Sequence, residues 1–142
     1  MIEIKMNLEK NIYNVNPLVF AYMGDVLYEK SVREYLIMSN YDSNVNKLHK
    51  TAIKFVSAKY QSMAFMYIKD KISEDEMNIY KRGRNSKSKS KAKSTSIINY
   101  RISTGLECLL GYLYFNGNTK RINEIMQMVI DFLFNEDQKD EK

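Results

Sequence analysis

Residues 18–28 hold a single charge, Asp25, in Leu18-Val19-Phe20-Ala21-Tyr22-Met23-Gly24-Asp25-Val26-Leu27-Tyr28. A stretch this apolar is no surface face; it belongs to a helix in the middle of a bundle. Residues 107–115 repeat the pattern. Glu107 opens Glu107-Cys108-Leu109-Leu110-Gly111-Tyr112-Leu113-Tyr114-Phe115, which is otherwise uncharged. An ionised carboxylate in such surroundings is costly unless something positive meets it. Both acids are therefore expected to be buried, and only tertiary packing can join them. Gly24, Gly105 and Gly111 lie in the same segments. Each costs about 1 kcal/mol relative to alanine inside a helix and makes sense where backbones approach closely.

The remaining punctuation also favours helices. The chain has 142 residues, one proline and five glycines. Asn16 is a natural N-cap and Pro17 a first-turn residue, so a helix is predicted from there to Met38. A loop over 40–44 precedes a second predicted helix at 45–70, with Leu48, Ala52, Phe55, Val56, Met63, Met66 and Tyr67 at helical spacing. Ser73 and Glu76 form a capping box for a third, at 74–81. Another is predicted from Ile97 to Phe115, ended by Asn116-Gly117-Asn118. The last, 119–134, buries Ile122, Ile125, Met126, Val129, Ile130 and Leu133. The expectation is one all-α domain of five or six helices over 1–142. Residues 1–14 form a lead-in, 82–96 a mobile basic loop, and 136–142 a frayed acidic tail.

Charge is segregated. The net charge is +5, yet no acid lies between Glu76 and Glu107, while Lys81, Arg82, Arg84, Lys87, Lys89, Lys91, Lys93 and Arg101 do. A localised cationic strip is an electrostatic footprint for nucleic acid. Arg82-Gly83-Arg84-Asn85 opens the strip, and Tyr100 and Arg101 close it. Arginine forks match phosphate oxygens, and glycine lets a backbone approach a strand. Acids in apolar surroundings beside such a strip suggest a metal-dependent enzyme acting on a polyanion.

Other residues carry less. Glu29 stands one turn before Arg33, in the favourable order for a helical ion pair. Cys108 is the only cysteine, so neither a disulfide nor a cysteine-built zinc site is available within one chain. A buried free thiol is ordinarily a small hydrophobe, and Cys108 is assigned no chemistry. His49, the single histidine, is either an RNA contact or part of a solvated helix turn. The charged start at 1–5 lacks a signal peptide's apolar core, and no apolar run approaches a membrane span, so a cytoplasmic protein is expected.

These segments resemble the Mini-ribonuclease III family, the minimal branch of ribonuclease III. Met23-Gly24-Asp25 with its apolar flanks matches the superfamily's signature helix. Glu107-Cys108-Leu109-Leu110-Gly111-Tyr112-Leu113-Tyr114 matches the second catalytic helix. Arg82-Gly83-Arg84-Asn85 and Tyr100-Arg101-Ile102-Ser103-Thr104-Gly105 are similar to the family's loop and its exit. Leu48-His49-Lys50-Thr51-Ala52 and Phe55-Val56-Ser57-Ala58 are similar to its second helix. The motifs fall in order across 16–115.

The resemblance implies a homodimeric helical endonuclease domain that cleaves double-stranded RNA with Mg²⁺, Mn²⁺ being a substitute. Asp25 and Glu107 become both catalytic residues and metal ligands. Arg82, Arg84, Asn85, Lys87, Lys89, Lys91, Lys93, Tyr100, Arg101 and His49 become RNA contacts. Maturation of the 23S precursor of large-subunit ribosomal RNA is the implied task, a ribosomal protein an implied helper, and no RNA-binding domain is expected to follow. Full-size ribonuclease III usually has an acid four residues before the aspartate and another three before the glutamate. Here those positions are Ala21 and Thr104. That departure motivates an alternative, a non-catalytic dimeric RNA-binding module on the same fold. A helical protein-interaction module with an incidental basic loop is a third reading.

Overall fold

The computed structural model describes residues 14–39, 44–86 and 94–140. It contains α1 (Pro17–Met38), α2 (Val45–Val56), α3 (Ala58–Ile68), a one-turn 3₁₀ segment (Lys69–Lys71), α4 (Glu74–Arg84), α5 (Ser94–Phe115) and α6 (Thr119–Asp140). Among the described residues there is no strand, and the all-α expectation holds. Local signals act as read. The Asn16 side chain accepts from the Leu18 N–H at 3.0 Å with Pro17 in the first turn. Ser73 and Glu76 complete their capping box. Gly117, at φ +76°, ends α5, and the Asn118 N–H reaches back to the Leu113 carbonyl at 2.9 Å.

The predicted helix at 45–70 is two helices. Ser57 is extended (φ −62°, ψ 152°) and serves both ends. Its Oγ donates to the Lys54 carbonyl at 2.8 Å and accepts from the Tyr60 N–H at 3.3 Å. The break resets the phase of the buried stripe. In α3 the buried face is Gln61, Ser62, Ala64, Phe65 and Ile68, while Met66 and Tyr67, expected inside, are exposed.

Two helices outrun their predicted ends. α4 continues to Arg84 because Gly83, packed on Cys108 and Gly105, lets it hug α5. Arg82 and Arg84 are thus helical residues rather than members of a loop, and α5 already begins at Ser94. The rest of the basic strip, with Lys87, Lys89, Lys91 and Lys93, lies outside the described residues. α6 runs to Asp140 instead of stopping at Phe134. Asp137 is buried and meets Lys54 of α2 at 2.9 Å, which anchors turns expected to fray.

α5 is the hub, packing against α1, α3, α4 and α6. Its core includes Leu106, Leu109, Leu110 and Leu113, which meet Phe20, Tyr28, Phe65, Ile125 and Val129 from the surrounding helices. α1 is not the all-round buried helix that its composition predicts. Its inner side carries Phe20, Ala21, Gly24, Tyr28, Val32 and Leu36. Its outer side leaves Val19, Tyr22, Val26, Ile37 and Met38 in solvent, Tyr22 at 82% exposure.

One ion pair fastens α4 to α6. Arg121 grips both carboxylate oxygens of Glu76, at 2.8 and 2.9 Å, and caps the Lys71 carbonyl at 3.1 Å. The arginine holds the Glu76 carboxyl below its usual range against the opposing push of burial. Arg121→Ala strands that buried acid, and thermal or urea unfolding should show a loss of about 2 kcal/mol.

Candidate active site

The closest helix contact builds the site. A Cβ on Gly24 would collide with the Glu107 carbonyl, and one on Gly111 with the Phe20 carbonyl. Only glycine permits α1 and α5 to lie backbone to backbone there. Gly105 is equally confined, against the Tyr80 ring. Because Asp25 follows Gly24 and Glu107 is the residue Gly24 faces, the contact places the two carboxylates beside each other.

They line one cleft of about 460 Å³ with Leu18, Ala21, Tyr22, Val56, Ala58, Gln61, Tyr100, Ser103 and Thr104. The expectation that both acids are buried is half right. Glu107 is largely enclosed, whereas Asp25 is exposed, because it stands on the outer flank of α1. Burial pushes the Glu107 carboxyl up to about 8, and the Asp25 charge adds to that; the Gln61 amide beside it works the other way. Tyr28 feels the same region: burial first, then the Glu107 charge, raise its hydroxyl above the usual range. The Tyr28 hydroxyl donates to the Phe55 carbonyl at 3.1 Å and fixes α1 against the end of α2.

Among the described residues no lysine or arginine forms an ion pair with Asp25 or Glu107, and none lines the cleft. No cluster of three or more His, Cys, Asp or Glu occurs among them either. The side-chain oxygens are those of two carboxylates, the Ser103, Thr104, Tyr22 and Tyr100 hydroxyls, and the Gln61 amide. Oxygen-only sets suit hard cations such as Mg²⁺, which keep several waters and need few protein ligands. One buried atom supports that fit: Gln61 Oε1 has no hydrogen-bond partner.

The expected RNA contacts separate into groups. Tyr100, 41% exposed, stands in the cleft with the carboxylates. Arg84, Asn85 and Arg101 line a different groove, about 510 Å³, with Lys69, Lys81, Ile98 and the Tyr80 ring. Arg84 Nε donates to Asn85 Oδ1 at 3.0 Å, and its guanidinium lies 5.7 Å from the Tyr80 ring centre. Arg82 is half-buried and reaches the Val15 carbonyl at 3.5 Å, which ties α4 to the start of α1. His49 is exposed and lines a third cavity with Arg33, Leu36, Ile37, Val45, Leu48 and Ala52. Glu29 pairs with Arg33 at 3.3 Å, the structural role expected of it. Cys108 is buried, which pushes its thiol up to about 12, so no thiolate chemistry arises there.

Sequence reasoning missed Gln61. The signal was present: an amide in the i, i+3, i+4, i+7 row with Ala64, Phe65 and Ile68. Reading α2 and α3 as one helix hid it.

The fold has counterparts. Residues 18–118 match the Ribonuclease III domain. A Mini-ribonuclease 3 of Clostridium tetani is 44% identical, over 94% of this chain and 87% of that protein. Mini-ribonuclease 3 of Brevibacillus brevis is 44% identical over 87% and 91%, and that of Staphylococcus aureus 38% over 86% and 92%. A crystal structure of a Fusobacterium nucleatum protein superposes with a TM-score of 0.73 at 29% identity, covering 86% of this chain and 97% of that one. The all-α domain is therefore a ribonuclease III endonuclease domain. Within that class the chain belongs to the Mini-ribonuclease III family.

Proposed function

We propose that this endoribonuclease cleaves double-stranded RNA, with Asp25 and Glu107 holding Mg²⁺ or, in its place, Mn²⁺. The observation that carries the reading is the juxtaposition itself. Two carboxylates from helices far apart in sequence share a cleft in which no lysine or arginine among the described residues meets them. Such a pair disfavours double ionisation until a cation arrives. When bound, the ion would supply charge neutralisation at the scissile phosphate and a water of lowered pKa.

The chain's own residues do the rest. Asp25, on the open flank, and Glu107, on the enclosed one, would hold the cation in the cleft. Tyr100 stands at that mouth for a ribose or base contact. Lys69, Lys81, Arg84 and Arg101 face the phosphates of a bound duplex, with Asn85 as a polar contact. Lys87, Lys89, Lys91 and Lys93 of the basic strip are assigned further phosphate contacts, while Arg82 braces α4 and His49 is assigned a minor contact. A-form RNA is recognised by shape, phosphates and 2′-OH groups, so few base contacts are needed. The substrate in this reading is the precursor of 23S ribosomal RNA, cut in the cytoplasm with a ribosomal protein as helper. Among the described residues no helix is long and apolar enough to cross a membrane.

The working unit in this reading is a homodimer. The Val19, Tyr22 and Val26 stripe is exposed and apolar, and it borders Asp25 on the same helix. A second copy packed there sets two clefts beside one duplex, one for each strand. Tyr22→Glu puts a charge in the middle of that stripe. Sedimentation should show a dimer for the native chain and a monomer for the variant; a native monomer would contradict the assembly.

Purified protein incubated with long duplex RNA tests the activity. Shortened duplexes should form with Mg²⁺ and none with EDTA, and binding should weaken as salt rises. RNA bound but never cut, across metals and salts, would favour the non-catalytic module that Ala21 and Thr104 motivate.

A further inference from the structure

Gln61 is 2% exposed, yet it lines the cleft that holds Asp25 and Glu107. Its place on the buried row of α3 is one a leucine could fill. The orientation of its amide is set by a neighbour. Nε2 donates to the Val56 carbonyl at 3.1 Å, so the other end is the oxygen. That oxygen is the one buried side-chain polar atom, among the described residues, without a hydrogen-bond partner. Buried acceptors are rarely left in this state, and an exception calls for a donor from outside the protein.

The surrounding cleft supplies none from its shorter hydroxyls. Ser103 and Thr104 both donate to the Tyr100 carbonyl of their own helix, at 2.7 and 2.9 Å. With a cation bound, both carboxylates are ionised and only accept. No cleft side chain, the Tyr22 and Tyr100 hydroxyls included, donates to Gln61 Oε1, so its donor comes from whatever occupies the cleft. A hydrated hard cation brings several water O–H groups with it. We propose that Gln61 is a positioning residue of the cation site, its Oε1 accepting a hydrogen bond from the hydration shell of the divalent ion that Asp25 and Glu107 hold. This rests on the reading of those two acids as metal ligands. It also accounts for a site that lacks acids at positions 21 and 104. A buried amide, rather than a third carboxylate, orients the ion through its water without adding negative charge to a crowded pair.

The test is Mn²⁺ binding to the full chain without RNA, followed by the loss of the free-ion electron paramagnetic resonance signal. The native chain should bind, and Asp25→Asn should not. Gln61→Met keeps the length and removes the oxygen, and it should weaken Mn²⁺ about 10-fold. Gln61→Glu gives up the Val56 bond but keeps an oxygen in place, and it should bind as tightly as the native chain or more so. Native-like affinity in Gln61→Met, with Asp25→Asn still defective, overturns the role of Gln61 and leaves the two acids standing. If Gln61→Met does not fold, Gln61→Glu decides: native-like or tighter binding supports the proposal, and a 10-fold loss overturns it. A native chain that binds no Mn²⁺, or an Asp25→Asn variant that binds it equally well, removes the carboxylate reading and this proposal with it.

Discussion

Glu107→Gln should abolish cleavage and, in the absence of metal, make the protein more stable at pH 8. The loss of cleavage is expected to be on the order of 10³-fold or more, since a metal ligand contributes several kcal/mol to the transition state. The gain in stability follows from the carboxyl's environment. Burial, then Asp25, push Glu107 from 4.5 up to about 8 in the folded chain. The folded state therefore holds a proton that the unfolded state releases at lower pH. Stability attributable to this residue is complete below about pH 4.5 and is lost as pH rises through about 8. The fall is on the order of a few kcal/mol, reduced by solvent reaching the Asp25 side. Glutamine carries no charge, so the variant should lack that slope. Urea unfolding at pH 5 and at pH 8, native against variant, measures the difference. Equal pH dependence in the two would show that Glu107 does not carry the shift.

Gly24→Val is expected to be among the most disruptive single changes in the chain. The new side chain meets the Glu107 backbone carbonyl, which no rotamer change moves away. Overpacking usually costs about 1–3 kcal/mol, and a backbone obstacle puts this case at or above the upper end. α1 has to shift away from α5, so Asp25 leaves Glu107. The expected results are a Tm lowered by roughly 10 °C or more and no cleavage even in the fraction that stays folded. An active, normally stable Gly24→Val protein would mean that α1 and α5 are not in backbone contact.

What was legible in the sequence depended on how local the signal was. Asn16-Pro17, Ser73 with Glu76, and Asn116-Gly117-Asn118 are short-range devices, and the helix ends they specify fall as read. The glycines beside the acids signalled close backbone contact because nothing else justifies them inside a helix. Ser57 left no such mark, since a lone serine is tolerated in a helix, and its double capping role depends on the turn it makes. The end of α6 depended on a distant partner, Lys54, that no local pattern announces. Asp25 departs from its expected burial for a related reason. The apolar composition predicts a central helix, whereas one face of α1 lies in solvent. Gln61 stayed hidden because its phase is fixed by the break at Ser57.

The central claim is that Asp25 and Glu107 act together on one divalent cation. Thermal unfolding at pH 8 over a Mg²⁺ series tests it most directly, because an ion bound only by the folded state raises Tm with concentration. The native chain should rise steadily, while Asp25→Asn and Glu107→Gln should each stay flat. A native Tm indifferent to Mg²⁺, or either variant rising in parallel with it, would contradict the shared site.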